Sequence, residues 1–151
     1  MKTSAIICDL DGTLYDAKER TKAHILGEKK DFDAFHQKAV LDPPFQWCVQ
    51  LITAMRNHGF EIIFLSGRDE KYRGQANRWI QEHVKILPKD YTLFLRPDGH
   101  WVEDTILKRE IYFRDIKPHF DVLFCVDDRA RVVKMWREIG LPCLQCDEGL
   151  F

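Results

Sequence analysis

Short, mostly apolar runs alternate with stretches of helical periodicity along this chain. The runs lie at residues 5–8, 60–65, 91–95 and 121–126, and a last short one at 141–146. Runs of this length are typical of strands buried on both faces of a sheet. Because a helix between two parallel strands crosses over the sheet, the alternation predicts right-handed βαβ units. We therefore expect an α/β fold, a three-layer, Rossmann-like parallel sheet with helices on both faces.

Between these runs, apolar residues recur at the spacing of α-helices. Helices are predicted over about 45–59, 69–83, 104–116 and 132–140. Asp104 stands at the start of the third and is expected to cap it. Glycines at 59 and 140 are expected to end the first and the last.

The segment from 15 to 43 departs from this pattern. It is rich in Lys, Glu and Asp and has few apolar residues, and one or two helical turns are expected near 32–35. We predict a single domain, 1–151, in which this segment forms a small cap insertion.

Composition narrows the class of protein. The 151 residues suit one domain, and the net charge of −1 gives no overall basic field to attract nucleic acid. No apolar run has membrane-spanning length and no signal peptide is recognised, so we expect no membrane contact. The five cysteines include no second C-x-x-C pair for a zinc site. We interpret them as structural thiols in a reducing, cytoplasmic compartment.

Three of the predicted strands are followed immediately by charged or hydroxyl-bearing residues. Asp9 and Asp11 follow the first, Ser66-Gly67-Arg68 the second, and Asp127-Asp128 the fourth. The carboxyl ends of parallel strands share one edge of a sheet, so these groups should meet. Carboxylates are ligands that Mg²⁺ prefers, and an Arg can offset phosphoryl charge. The set therefore suits phosphoryl transfer.

Each feature also has a purely structural interpretation. Asp11-Gly12 fits a turn after a strand, Ser66-Gly67-Arg68 a strand-to-helix turn, and Asp127-Asp128 a helix N-cap pair. Lys108 lies four residues after Asp104 and fits an intrahelical ion pair. The chemical interpretation is favoured because all four features occur together in one order, three of them at strand ends.

That order resembles the four motifs of the haloacid dehalogenase-like phosphatases, whose first motif is DxDGT. The resemblance implies that Asp9 is a nucleophile that forms an aspartyl-phosphate and that Asp11 is the general acid/base. It implies that the Ser66-Gly67-Arg68 segment binds the phosphoryl group and that Lys108 steadies its charge. A Mg²⁺ site is implied as well, formed by the residues Asp9, Asp11 (through its backbone carbonyl), Asp127 and Asp128.

The segment 104–137 further resembles the 3′-phosphatase domain of bacteriophage polynucleotide kinase–phosphatase. This resemblance implies a substrate with 3′-phosphate ends, of DNA or RNA. It also implies phosphate-binding roles for Arg20 and Arg68, which match arginines of that domain. The kinase domain of the phage enzyme has no counterpart in this sequence, so we expect no 5′-kinase activity; kinase or ligase partners on separate chains are left open.

Two other functions stay open at this point. A small-molecule phosphatase, such as a nucleotidase, would use the 15–43 insertion as a sealing lid. A binding module without chemistry would be expected to lack Asp9, Asp11 or Lys108, which are all present. Cations outside the motifs would either track a nucleic-acid backbone or form a solvated mixed-charge surface; they are Lys18, Lys22, Lys71, Arg73 and Arg78. The sequence does not choose between DNA and RNA and leaves the oligomeric state unknown.

Overall fold

A parallel sheet forms the centre of the molecule. The computed structural model describes residues 1–149. Its strands are β1 (Thr3–Cys8), β2 (Glu61–Asp69), β3 (Thr92–Arg96), β4 (Phe120–Asp127) and β5 (Cys143–Gln145). All neighbouring strands pair in parallel, in the order β3-β2-β1-β4-β5. The predicted parallel α/β fold is confirmed.

Helices cover both faces of this sheet. They are α1 (Lys18–His24), α2 (Phe32–Gln37), α3 (Gln46–Asn57), α4 (Arg73–Val84), α5 (Asp104–Ile111) and α6 (Ala130–Glu138). A π-helical turn at Tyr112–Ile116 continues α5. No helix within residues 1–149 is long and apolar enough to cross a membrane.

Alternate residues of β1 divide the core into two layers. Ile6 and Cys8 pack with buried residues of α3 and α4, such as Ile52, whereas Ala5 and Ile7 pack with those of α5 and α6. This division follows from the alternation of side chains along a strand. It gives the three layers that the sequence predicts.

Strand β2 is longer than predicted. The sequence predicts an end at Leu65, but the strand runs on to Asp69, which pairs with Arg96 of β3. The register with β3 shifts between Leu65 and Asp69. Within the shift, the Arg68 backbone N–H donates to the hydroxyl of Ser66 at 3.1 Å.

The insertion is more ordered than its composition suggests. Helix α1 was not predicted because the residues it buries, Arg20 and Thr21, are polar and give no apolar periodicity. Both ends of the insertion are fixed to one core side chain. The ring of Tyr15 stacks on Trp79 with centroids 3.6 Å apart, and the indole N–H of Trp79 donates to the carbonyl oxygen of Asp42 at 3.0 Å.

Candidate active site

A cavity of about 360 Å³ opens at the carboxyl edge of the sheet. Every residue predicted for the site lines it except Arg20; those present are Asp9, Asp11, Ser66, Gly67, Arg68, Lys108, Asp127 and Asp128. The parallel topology therefore brings together groups up to 119 positions apart in the sequence.

Lys108 holds two buried carboxylates at the floor of this cavity. Its Nζ donates to Asp9 Oδ1 at 3.0 Å and to Asp127 Oδ2 at 2.7 Å. Burial lowers the pKa of Lys108, but Asp127 and Asp9 outweigh burial and hold it well above its usual range. Thr13 Oγ1 donates to Asp9 Oδ2 at 3.2 Å, so both oxygens of Asp9 are oriented. The intrahelical pair with Asp104 is not the contact that Lys108 makes.

Three carboxylates crowd together beside Lys108. Oxygens of Asp9, Asp127 and Asp128 lie within 4.8 Å of one another. Burial and the charges of Asp127 and Asp128 raise the pKa of Asp9 well above its usual value, although Lys108 opposes them. Burial and Asp127 likewise raise the pKa of Asp128 to about 6. One lysine leaves this cluster with excess negative charge, so its donor set fits a divalent cation such as Mg²⁺.

Asp11 lies in a different environment from Asp9. Its Oδ1 accepts from Arg68 Nη2 at 2.7 Å and from Arg20 Nη2 at 2.5 Å. Burial would raise the pKa of Asp11, but Arg68 and Arg20 outweigh burial and hold it well below its usual value. The pKa values of Asp9 and Asp11 are thus shifted in opposite directions. Such a difference is expected of two carboxylates with different catalytic roles.

Arg20 lies behind Asp11, outside the set of residues that line the cavity. Its side chain is 4% exposed, and its other nitrogens donate to Asp42 Oδ2 at 2.8 Å and to the carbonyl oxygen of Phe35 at 2.7 Å. The predicted place of Arg20 near Asp11 is therefore found, whereas contact with a phosphate stays a prediction. The sequence pattern locates the residue but not the direction of its guanidinium.

Arg68 lines the cavity, although its side chain is almost completely buried. Its guanidinium lies 4.5 Å from the ring centroid of Tyr15, and its Nη1 donates to the Tyr15 hydroxyl at 3.3 Å. Its Nε is buried and has no hydrogen-bond partner among the residues described. An arginine so placed faces Asp11 on one side and the cavity on another.

A second ionic network, which the sequence patterns do not predict, joins the end of β3, the start of α5 and the segment before α6 at the rim. Asp104 Oδ1 accepts from Arg96 Nη2 at 2.7 Å and Oδ2 from Arg129 Nη1 at 2.8 Å. The prediction that Asp104 caps α5 is wrong, because Glu103 precedes the helix and makes no side-chain cap. Arg96 Nε also donates to the carbonyl of Gly67 at 3.0 Å. The signal available in the sequence was that Arg96 and Arg129 both follow strand ends.

Two glycines permit the close packing of carboxylates at the site. Gly12 has a φ of 86°, and a Cβ there would collide with the carboxylate of Asp128. A Cβ on Gly67 would lie 2.5 Å from Asp104 Oδ1. Side chains at these positions would displace the carboxylates from the cavity edge.

The surface cations beyond the motifs are mostly paired. Lys71 Nζ lies 3.0 Å from Asp33 Oδ1, Arg73 pairs with Glu70, and Lys22 lies 3.8 Å from Glu19. These pairs favour the mixed-charge surface. The cavity rim instead carries cations that the sequence analysis did not select, namely Lys30, Arg129 and Arg131.

The fold is that of known phosphatases. A class C acid phosphatase from Bacillus anthracis with tungstate bound superposes with a TM-score of 0.69 at 17% identity, over 100% of this chain and 69% of that one. The two proteins therefore share the same overall fold.

The family follows from the sequence itself. Residues 3–151 match the model of the polynucleotide kinase PNKP phosphatase domain. The chain belongs to this family, and it is a phosphomonoester hydrolase.

Similar chains occur in larger proteins. Two chains in structures of the Pnkp1/Rnl/Hen1 complex, one described as an RNA repair complex, are 32% and 30% identical, with TM-scores of 0.80 and 0.82 over 99% of this chain. A bifunctional polynucleotide kinase/RNA ligase of Autographa californica nuclear polyhedrosis virus is 29% identical over 139 residues, 91% of this chain. This chain spans 48%, 44% and 18% of those three proteins, respectively.

Proposed function

We propose that this chain is a Mg²⁺-dependent polynucleotide 3′-phosphatase that hydrolyses 3′-phosphate ends of DNA or RNA through an aspartyl-phosphate on Asp9. The observation that carries the proposal is the placement of Asp9. Thr13 and Lys108 orient its oxygens in an open cavity of a chain from the polynucleotide kinase phosphatase family. The proposal includes a single domain, 1–151, with a cap insertion at 15–43, in a cytoplasmic protein.

In the first half of the reaction, an oxygen of Asp9 attacks phosphorus, the Asp9–phosphorus bond forms and the bond to the 3′ oxygen breaks. The Lys108 ammonium steadies the phosphoryl oxygens and keeps Asp9 in place. Ser66 accepts a hydrogen bond from the Arg68 backbone, which leaves its own O–H available to donate to a phosphoryl oxygen. In the second half, water attacks the same phosphorus and Asp9 is released.

The carboxylate cluster supplies the proposed metal ligands. Asp9, Asp127 and Asp128 would hold Mg²⁺, together with the backbone carbonyl of Asp11. A bound divalent cation offsets the charge of the phosphoryl group and of the carboxylates around it. The side chain of Asp11 is held by arginines and is left for proton transfer.

Asp11 is the proposed general acid/base. Its low pKa keeps Asp11 deprotonated in the resting site, the form that accepts a proton, but the same low pKa makes it a weak base. To protonate the leaving oxygen it must first gain a proton. A phosphate anion that competes for Arg68 would weaken the Arg68–Asp11 pair and raise the pKa of Asp11 in the substrate complex.

This account predicts the effect of Arg20→Gln on the pH profile. Removal of one of the two guanidinium groups should raise the pKa of Asp11, so the acidic limb of kcat should move to higher pH by about one unit. Arg20→Lys keeps the positive charge, so its limb should move less than that of Arg20→Gln. Arg56→Gln, at a surface pair with Asp90, should leave the limb in place. An unmoved limb in a folded Arg20→Gln protein would contradict the role given to Asp11.

Gly12→Ala should weaken the metal site. The added Cβ collides with the carboxylate of Asp128, so the Mg²⁺ concentration for half-maximal activity should rise several-fold. Backbone strain at positive φ should lower stability by about 1–3 kcal/mol. Gly59→Ala is the matched control, because Gly59 has a φ of 96° and nothing within 4 Å of its Cβ position. Equal Mg²⁺ requirements in the two variants would argue against Asp128 as a ligand.

A small-molecule phosphatase is the second candidate, favoured by the cavity itself. Its volume lies at the low end for ligand sites, and the insertion contributes Lys30, Phe32, Phe35 and His36 to its lining. The two functions are separated by kcat/KM for a 3′-phosphorylated oligonucleotide against the matching nucleoside 3′-monophosphate. Preference for the oligonucleotide supports end processing, and preference for the mononucleotide supports the small-molecule enzyme.

The similar proteins support a proposal about the partners of this chain. The names of the similar proteins describe a kinase/ligase and a Pnkp1/Rnl/Hen1 complex. We propose that this phosphatase prepares 3′ ends for kinase and ligase activities, supplied by separate chains or by further parts of the same protein.

A further inference from the structure

We propose that Trp101 forms a nucleobase-stacking subsite, on which the unpaired terminal base of a polynucleotide lies when its 3′-phosphate reaches Asp9. The inference rests on the proposed function and adds the part of the substrate that the enzyme recognises beyond phosphate. It assigns a role to a residue that takes no part in the phosphoryl chemistry.

Trp101 is an exposed aromatic residue at the rim of the catalytic cavity. It lies in the loop 97–103 between β3 and α5, lines the cavity, and is 75% exposed. Trp47, in contrast, is 44% exposed and lies outside the cavity lining. A single exposed aromatic residue is common on proteins and carries no argument alone. The loop around Trp101 carries the argument.

One buried guanidinium fixes the backbone on both sides of Trp101. Arg96 Nη1 donates to the carbonyl oxygens of His100 at 2.9 Å and of Val102 at 2.6 Å. The same side chain donates to the carbonyl of Gly67 and to Asp104, so the loop is tied to the phosphate-binding segment. The backbone that carries the indole is therefore held beside the phosphate-binding segment. An aromatic side chain has few rotatable bonds, so it loses little entropy when a ligand stacks on it.

The chemistry of the rim matches an unpaired nucleotide. Phe32 of the insertion, 48% exposed, lines the same cavity and adds a second aromatic surface. Lys30 and Arg131 also line it and supply positive charge for the phosphate that precedes the terminal nucleotide. Aromatic platforms combined with cations are typical of sites for single-stranded nucleic acid. A cavity of about 360 Å³ suits the terminal nucleotide, with the rest of the strand outside.

The test compares two single-stranded oligonucleotides with a 3′-phosphate, one intact and one whose terminal nucleotide is abasic. In Trp101→Ala, KM for the intact strand should rise by about fivefold or more, with kcat nearly unchanged, since stacking on an aromatic side chain supplies this much per base. The abasic strand should respond little. Trp101→Phe should restore most of the loss, and Trp47→Ala should behave as the wild type does.

The outcomes separate this inference from the proposed function. If the wild-type protein dephosphorylates the intact strand and Trp101→Ala impairs both strands equally, the subsite is wrong and the 3′-phosphatase assignment stands. If the wild-type protein releases phosphate from glycerol 2-phosphate but from neither strand, the proposed function is wrong and the subsite falls with it. Because the indole is mostly exposed, the melting temperature of Trp101→Ala should match that of the wild type.

Discussion

Asp9→Asn should lower phosphate release by about 10⁴-fold or more while the protein stays folded. The amide keeps the shape of the side chain but cannot attack phosphorus. Stability should be unchanged or higher, because Asp9 is a buried acid beside two other carboxylates and its pKa is raised by burial and by Asp127. The measurement is multiple-turnover phosphate release together with the melting temperature.

Asp121→Asn is the matched control for this substitution. Asp121 is an exposed aspartate of β4, the strand that also carries Asp127 at its far end. Its replacement should leave both turnover and the melting temperature as they are in the wild-type protein. Substantial turnover by a clean Asp9→Asn preparation would contradict the assignment of Asp9 as the nucleophile.

Lys108→Met should lower both activity and stability. The ammonium is buried between Asp9 and Asp127, at 3.0 and 2.7 Å, and its loss leaves two buried carboxylates without their cation. Removal of one partner of a buried ion pair typically costs about 3–5 kcal/mol of unfolding free energy. Activity should fall by about 10³-fold or more, because Lys108 steadies both the nucleophile and the phosphoryl group.

The stability loss in Lys108→Met should depend on pH in a fixed direction. Without the ammonium, the pKa of Asp9 rises further above its unfolded-state value. A group whose pKa is raised by folding contributes stability at low pH and loses it as pH rises through the folded value. In EDTA, the deficit should therefore be larger at pH 8 than at pH 5. Lys89 is exposed, so Lys89→Met is the control. A stability deficit of Lys108→Met that is equal at both pH values would contradict the charge argument.

The layout of the site could be predicted from the sequence because it depends on strand ends. Asp9, Ser66 and Asp127 each follow an apolar run, and the parallel topology alone requires them to meet. The family resemblance added Lys108, which lies on a helix and has no strand end to mark it. The strand ends and the family motifs can both be recognised from local sequence patterns and their order along the chain.

The remaining features depend on side-chain direction, which periodicity does not encode. Helix α1 buries Arg20, a residue that any hydrophobic pattern counts as exposed. The sequence predicts phosphate binding by Arg20, which stays a prediction, but not the contacts that its guanidinium makes with Asp11 and Asp42. The contacts of Arg96 and Arg129 with Asp104 join three segments whose approach is decided only by packing.

The assignment as a polynucleotide 3′-phosphatase is tested most directly by phosphate release from two matched oligonucleotides, one with a 3′-phosphate and one with a 5′-phosphate. Each is assayed in Mg²⁺ and in EDTA. We expect release from the 3′ end alone, with loss of activity in EDTA. Equal release from both ends, or release that persists in EDTA, would contradict a metal-dependent enzyme that is specific for 3′ ends.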